Sequence, residues 1–172
     1  MQHDDVTKAF LEFSRHKLIE EYSPRLRAAV ECLTDEQVWW RPNEASNSVG
    51  NLLLHLNGNV RQWLVGTFTR GEDARDRPAE FAERQLIPAS RLLDMLDRTL
   101  QEVAAVLSRV SEQELLATYR IQGYTASGLA VVYHVVEHFG MHYGQILYVA
   151  KLLHGADLGF YKELDRTGRL GD

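Results

Sequence analysis

Three histidines recur at intervals of four residues in the segment VVYHVVEHFGMHYGQI, residues 131–146. They are His134, His138 and His142, and they lie inside an apolar run. On a helix with about 100° per residue, His138 and His142 lie in the middle of the apolar face and His134 lies at its edge. Burying a neutral imidazole is costly unless both ring nitrogens have partners. A metal ion would supply one partner to each of two rings.

Helix geometry limits which of these rings can share one ion. Residues four apart lie about 6 Å from each other along the axis, whereas His134 and His142 lie about 12 Å apart. The spacing therefore favours the pair His138 and His142, and His134 is then either a neighbour of the site or a surface residue. A pair needs a further ligand from another helix. His55, in the segment SVGNLLLHLNGNVRQWL, is the other histidine placed to face inward from the middle of a predicted helix.

Two interpretations of these histidines compete. Each of them taken alone reads as a core residue with satisfied hydrogen bonds, whereas three inward histidines on two helices favour one divalent metal site. Three neutral imidazoles leave a coordination position open, which is typical of catalytic metal sites. Zn²⁺ and Ni²⁺ both suit imidazole ligands, and the sequence does not choose between them. Asn59, His134 and Gln145 are the candidates to line a pocket at this site.

The elements that must position these side chains are helices. Apolar residues recur with helical spacing in four long segments, and no alternating strand pattern of useful length is present. The predicted helices cover about residues 6–33, 48–68, 88–110 and 126–153, with a short extra helix in the segment TDEQVWW. Pro24 predicts a kink or break near Tyr22 in the first helix, because proline lacks a backbone donor and clashes with the preceding turn. The fold class is all-α, in a single domain over residues 1–172.

Composition narrows the function classes. The chain has 172 residues, a net charge of −5, 45% apolar residues and no block of Lys and Arg, so neither nucleic acid nor an anionic membrane is an expected partner. The single cysteine, Cys32, excludes an intrachain disulfide and suits a reducing compartment. Its position in an amphipathic helix predicts a buried thiol. The sequence shows neither a signal-peptide pattern nor a membrane-spanning run, so a cytoplasmic location is expected.

The two histidine-bearing segments carry a resemblance to a known family. His55 in its helix, followed much later by the pattern H-x-x-x-H-x-G-Q over residues 138–145, resembles the DinB/YfiT-like metalloenzyme superfamily. More narrowly, RPNEASNSVGNLLLHLNGNVRQW and IQGYTASGLAVVYHVVEHFGMHYGQI resemble a bacterial branch that is known as a domain of unknown function. Many relatives have a second histidine directly after the last ligand, where this chain has Tyr143.

The resemblance implies a four-helix bundle with up-down-down-up order, long connections and short extra helices. It implies one divalent ion held by three histidines, here His55, His138 and His142. It also implies a homodimer formed through helices. Characterised members include transferases and isomerases that use low-molecular-weight thiols such as bacillithiol or mycothiol.

Two classes of function therefore stay open. The first is a metal-dependent enzyme that transfers a thiol to a small electrophile, with metal-dependent hydrolysis as a variant. The second is a non-catalytic bundle, either a metal-stabilised dimer or a binding module, because the sequence shows no convincing general base. A small-molecule substrate is expected only in the first class.

Overall fold

The computed structural model describes residues 3–71, 73–155 and 157–162. In chain order its elements are α1 (His3–Arg15), the π-helical segment π1 (His16–Tyr22), α2 (Ser23–Glu31), α3 (Asp35–Val38), α4 (Val49–Val60), the π-helical segment π2 (Arg61–Gly66), α5 (Thr67–Thr69), α6 (Arg77–Ala82), α7 (Ala89–Leu107), α8 (Glu112–Leu116), β1 (Thr118–Ile121), β2 (Tyr124–Ser127) and α9 (Gly128–His154). The segments α1, π1 and α2 form one continuous first long helix, and α4, π2 and α5 form the second. The third and fourth long helices are α7 and α9.

The ends of the helices that carry histidines follow from local sequence. Ser48 caps α4 by accepting a hydrogen bond from the backbone N–H of Asn51, and Ser127 caps α9 in the same way. Gly155 ends α9 with a φ of 72°, a left-handed conformation that glycine adopts without a steric penalty. Both helices lie close to their predicted bounds.

The irregularity predicted near Tyr22 takes the form of a π-helical segment. Backbone angles stay right-handed and helical through Tyr22 and Ser23, so the helix does not break. Pro24 lies in the first turn of α2, where a missing N–H is tolerated. Of the predicted kink or break, the break is therefore wrong, and a segment of wider π-helical register precedes the proline instead.

The first and second long helices each pack against both α7 and α9. Between them lies one apolar core, with fully buried side chains such as Leu53, Leu93, Val135 and Phe139. The all-α class is confirmed. The up-down-down-up order of a four-helix bundle stays a prediction. So does the single domain over residues 1–172, whose outermost residues 1–2 and 163–172 lie outside the described part of the chain.

Two small elements were not predicted. The short helix α6 lies in the connection between the second and third long helices. The strands β1 and β2 pair antiparallel between α8 and α9, and they are joined by Gln122 and Gly123, whose φ angles are 51° and 85°. Two successive positive φ angles are what a type I′ hairpin turn needs. The hairpin therefore adds a two-stranded ribbon to an otherwise helical fold.

The prediction of a buried Cys32 thiol is wrong. Cys32 is exposed directly after the last turn of α2, and its Sγ donates a hydrogen bond of 3.2 Å to the carbonyl oxygen of Ala28. Leu26, Val30 and Leu33 share the buried face of this segment. At about 100° per residue Cys32 lies away from that face. Within the described ranges, no helix combines the length and the apolar character that crossing a membrane requires.

Candidate metal centre

Three imidazole rings meet between α4 and α9. The Nε2 atom of His138 lies 3.0 Å from Nε2 of His55 and 3.2 Å from Nε2 of His142. One ligand atom from each of the three rings lies within 4.8 Å of the other two, an arrangement that could hold a metal ion. The structure thus brings together the three histidines that the sequence singled out.

The proton on His55 is fixed from outside the cluster. Its Nδ1 lies 2.8 Å from Oε2 of Glu80, and also 3.0 Å from Nη2 of Arg75. Only one of these contacts can be a hydrogen bond of Nδ1. The carboxylate is the stronger acceptor, and Arg75 Nη2 already donates to Glu80 Oε2 at 2.8 Å. Nδ1 therefore carries the proton, and the lone pair of Nε2 points into the cluster.

His142 has the same orientation for a different reason. Its Nδ1 lies 2.7 Å from Oε1 of Gln145, which accepts a proton from that nitrogen. The lone pair of its Nε2 therefore also points inward. His138 has one proton at most in its neutral form and cannot satisfy both neighbouring lone pairs through Nε2. Its own Nδ1 is buried and has no hydrogen-bond partner in the described structure.

A cation resolves this conflict. Two ligand atoms bound to one ion at about 2.0–2.1 Å lie about 2.8–3.4 Å from each other in octahedral to tetrahedral geometry. The observed separations of 3.0 and 3.2 Å agree with that range. The converging lone pairs and their spacing fit a divalent metal ion better than a network of hydrogen bonds.

A buried ion pair supports His55. The Arg75 guanidinium donates to both oxygens of Glu80, at 2.6 and 2.8 Å. The two side chains are only 5% and 10% exposed. Burial alone would raise the pKa of Glu80, but the hydrogen bonds from Arg75 and His55 outweigh it and the pKa lies below its usual value. Glu80 is therefore an ionised acceptor that fixes the ring of His55.

The backbone around Glu80 is also anchored to α4. Asn51 donates from Nδ2 to the carbonyl oxygens of Glu80 and Glu83, at 2.9 and 3.1 Å. Gly58 lies on α4 facing this segment, and a Cβ atom there would collide with the Glu80 carboxylate and with Arg75 Nε. Close approach of α6 to α4 thus depends on the absence of a side chain at residue 58.

Burial favours the neutral form of His134, His138 and His142 on α9. Burial is the largest of the causes that lower the pKa of His138 to about 3, and the neighbouring rings of His142 and His55 contribute in the same direction. Burial also lowers the pKa values of His134 and His142 below their ordinary value of 6.5. Neutral imidazole is the form that binds metals.

The three predicted pocket residues have different positions. His134 lies beside the cluster, with its ring centre 5.4 Å from that of His138, and its Nε2 is 3.5 Å from Nδ2 of Asn59. Both line a cavity of about 720 Å³ that is also bordered by His55 and His138. Gln145 is not among the described residues that line this cavity, and its Oε1 accepts a hydrogen bond from Nδ1 of His142.

Sequence reasoning missed Glu80 and Arg75. One signal was present in the segment DRPAE, where Asp76 accepts a hydrogen bond from the N–H of Ala79 and Pro78 occupies the first turn of α6. A second was chemical, because a histidine that binds a metal commonly gives its other ring proton to a carboxylate. Neither signal predicts that the connection between the second and third long helices packs against His55.

Known proteins provide the remaining comparison. Residues 5–162 match a family described as "Protein of unknown function (DUF1572)". The chain belongs to the DUF1572 family. This DUF1572 protein has a DinB-like fold. It is similar to the crystal structure of a DinB-like protein from Bacillus cereus ATCC 10987, with a TM-score of 0.61 and 19% identity, over 81% of this chain and 95% of that one.

A second solved structure gives the same result. It is described as a conserved protein from Enterococcus faecalis, and it matches with a TM-score of 0.60 and 17% identity, over 91% of this chain and 99% of that one. No curated protein matches the chain. Identities this low support the fold alone.

Proposed function

We propose that this DUF1572 protein is a metal-dependent enzyme in which His55, His138 and His142 hold one divalent ion, Zn²⁺ or Ni²⁺. The observation that carries the proposal is the convergence of three ring nitrogens, with the lone pairs of His55 and His142 directed inward by Glu80 and Gln145. A bound ion would lower the pKa of a thiol or a water in a position that the histidines leave open.

The reaction that we propose is transfer of a small thiol to a small electrophile. The sulfur forms a bond to the electrophilic carbon while the leaving group departs with its electron pair, and the thiol proton passes to solvent or to a nearby base. Glu80, Arg75 and Gln145 orient the ligand rings, and His55 is only 4% exposed. The cavity of about 720 Å³ beside His55 and His138 has room for the electrophile.

Thiol conjugation by the metal-loaded protein tests this proposal. Protein loaded with Zn²⁺ or Ni²⁺ is incubated with low-molecular-weight thiols, including bacillithiol, and a panel of small electrophiles. Turnover is expected in the wild type and in His154→Ala, which removes an exposed histidine at the end of α9. It is expected to disappear in His142→Ala. Absence of turnover with every thiol would favour the non-catalytic alternative, and turnover with water alone would favour the hydrolase.

The partner that we propose is a second copy of the chain. The solvent-facing side of α9 exposes large apolar side chains, namely Leu129, Tyr133, Met141, Tyr148 and Leu152. An exposed apolar surface on a helix supports a homodimer formed through helices. Sedimentation equilibrium measures the mass directly, and a monomer at micromolar concentration would rule the dimer out.

A further inference from the structure

Arg75 lines two cavities of similar size, and these cavities differ in the charges of their other lining residues. The second cavity, of about 620 Å³, is lined by four carboxylates, those of Asp73, Asp76, Glu80 and Glu102. The cavity beside the histidines, of about 720 Å³, has no carboxylate among the described residues that line it. This is notable in a chain with a net charge of −5. We call it the histidine-side cavity.

Two described arginines line the histidine-side cavity, and they differ in whether a described carboxylate pairs with them. Arg75 lines it, but its charge is compensated by Glu80. Arg77 lines it as well, and its guanidinium lies 5.0 Å from the ring centre of Phe81. No carboxylate in the described ranges pairs with Arg77. Arg77 is therefore available to an anion that enters the cavity, and a divalent ion at the cluster would add to the same positive field.

Aromatic rings form the apolar part of the cavity wall. Trp63 comes from π2 and Tyr124 from the hairpin, and their ring centres are 6.1 Å apart. Trp63 is 8% exposed and belongs to the core, whereas Tyr124 is 65% exposed and lines the cavity at the surface. The cavity volume is within the range of small-molecule sites, about 300–1,000 Å³.

We propose that the histidine-side cavity binds a small aromatic carboxylate, which pairs with Arg77 and packs against Trp63 and Tyr124. The inference deepens the proposed function and rests on it for the role of the anion as a reactant. The carboxylate belongs either to the electrophile or to the thiol, and both sources share the chemistry that Arg77 recognises.

Ligand-detected NMR titrations with benzoate and benzamide test the charge preference, because the two probes differ mainly in the carboxylate. The titrations are made on both the metal-free and the zinc-loaded protein. Benzoate is expected to bind at least about threefold more tightly than benzamide in both forms. Arg77→Gln should abolish this preference. Arg98→Gln removes the same charge from an exposed position of α7 and should leave the preference unchanged.

The aromatic contact is tested by Tyr124→Ala, which should weaken benzoate binding by about threefold without lowering stability, since the side chain is exposed. In the zinc-loaded protein, 3-mercaptobenzoate is compared with benzoate. Tighter binding of the mercapto compound assigns the carboxylate to the thiol, and equal binding assigns it to the electrophile. Both of these results support the proposal.

Equal binding of benzoate and benzamide, undetectable binding of both, or a preference that survives Arg77→Gln would overturn the inference. These outcomes are separate from failure of the proposed function. A protein that takes up no zinc would refute the metal site while leaving the metal-free titrations valid. A stoichiometric zinc protein without anion preference would refute only the anion site.

Discussion

His55 and His142 present the same nitrogen to the same centre, but they are held from outside in different ways. His55 donates a hydrogen bond from Nδ1 to Glu80, which is buried, ionised and paired with Arg75. Both of these partners come from the connection that follows the helix of His55, and they lie 20 and 25 residues away along the chain. His142 donates a hydrogen bond from Nδ1 to Gln145, which is neutral, exposed and three residues away on the same helix.

The difference shows where the site is rigid. A hydrogen bond to an ionised acceptor is roughly twice as strong as one between neutral groups, and burial protects it from competition by water. The orientation of His55 therefore depends on tertiary structure, whereas that of His142 depends mainly on the helix that carries it. Perturbing the support of His55 should damage metal binding more than perturbing the support of His142.

The largest expected effect comes from Glu80→Gln. The amide keeps the shape but removes the charge, so Arg75 stays buried without a counter-ion and His55 loses its strongest partner. Metal affinity should fall about 10–100-fold, and the free energy of unfolding by about 3 kcal/mol. Competition with a chelating dye and urea unfolding measure the two quantities. Glu44→Gln, at an exposed carboxylate, should change neither, and an unchanged affinity in Glu80→Gln would remove the basis of the comparison.

The hydrogen bond between Glu80 and His55 can also be disturbed sterically, without changing either residue. Gly58→Ala places a Cβ atom against the Glu80 carboxylate, which must shift away from His55. Metal affinity should fall about tenfold, although alanine is the better helix former by about 1 kcal/mol. Gly144→Ala on α9 is the matched control, because a Cβ atom there meets no other atom within 4 Å. Dye competition compares the two variants, and equal affinities would contradict the account.

A smaller effect is expected from Gln145→Ala. The bond that it removes is neutral and exposed, and water can replace the lost acceptor. Metal affinity should fall only a few-fold, and the urea midpoint should stay the same. A loss as large as that of Glu80→Gln would show that local support matters as much as tertiary support.

The smallest expected effect is a pH dependence of the free energy of unfolding that arises from His138. Unlike His55 and His142, this residue has no hydrogen-bond partner at Nδ1 in the described structure. Its pKa is about 3 in the folded metal-free protein, against an ordinary value of 6.5. As pH falls from 6.5 towards 3, the unfolded chain binds a proton that folded His138 does not, so the folded state loses stability. Above 6.5 the residue contributes no pH dependence. Urea unfolding in a chelator at pH 7.5 and 5.5 should show a smaller loss in His138→Gln than in the wild type, and equal losses would argue against the lowered pKa.

Much of this site follows from periodicity. The spacing of His138 and His142 and the inward position of His55 predict three rings facing one core, and the structure brings these rings together. Helix caps at Ser48 and Ser127 have local signatures, so helix ends are predictable within a few residues. The same pattern identifies His134 as a neighbour of the site, since two turns of helix separate it from His142.

The other parts of the site depend on tertiary contacts, which leave no periodic pattern in the sequence. Glu80 and Arg75 lie in a polar connection, and their burial against α4 depends on Gly58 and Asn51, which are far from them in sequence. The hairpin has a local signal in Gln122 and Gly123, but its strands are too short to show alternation. Cys32 shows a different limit, because membership of an amphipathic helix does not by itself place a residue on the buried face.

Metal content tests the central claim most directly. The wild type, His142→Ala and His134→Ala are purified without a histidine tag and analysed for metals, before and after reconstitution with Zn²⁺ or Ni²⁺. The account predicts close to one ion per chain in the wild type and in His134→Ala, and loss of that ion in His142→Ala. No bound ion in the reconstituted wild type would contradict it, and so would a loss in His134→Ala as large as that in His142→Ala.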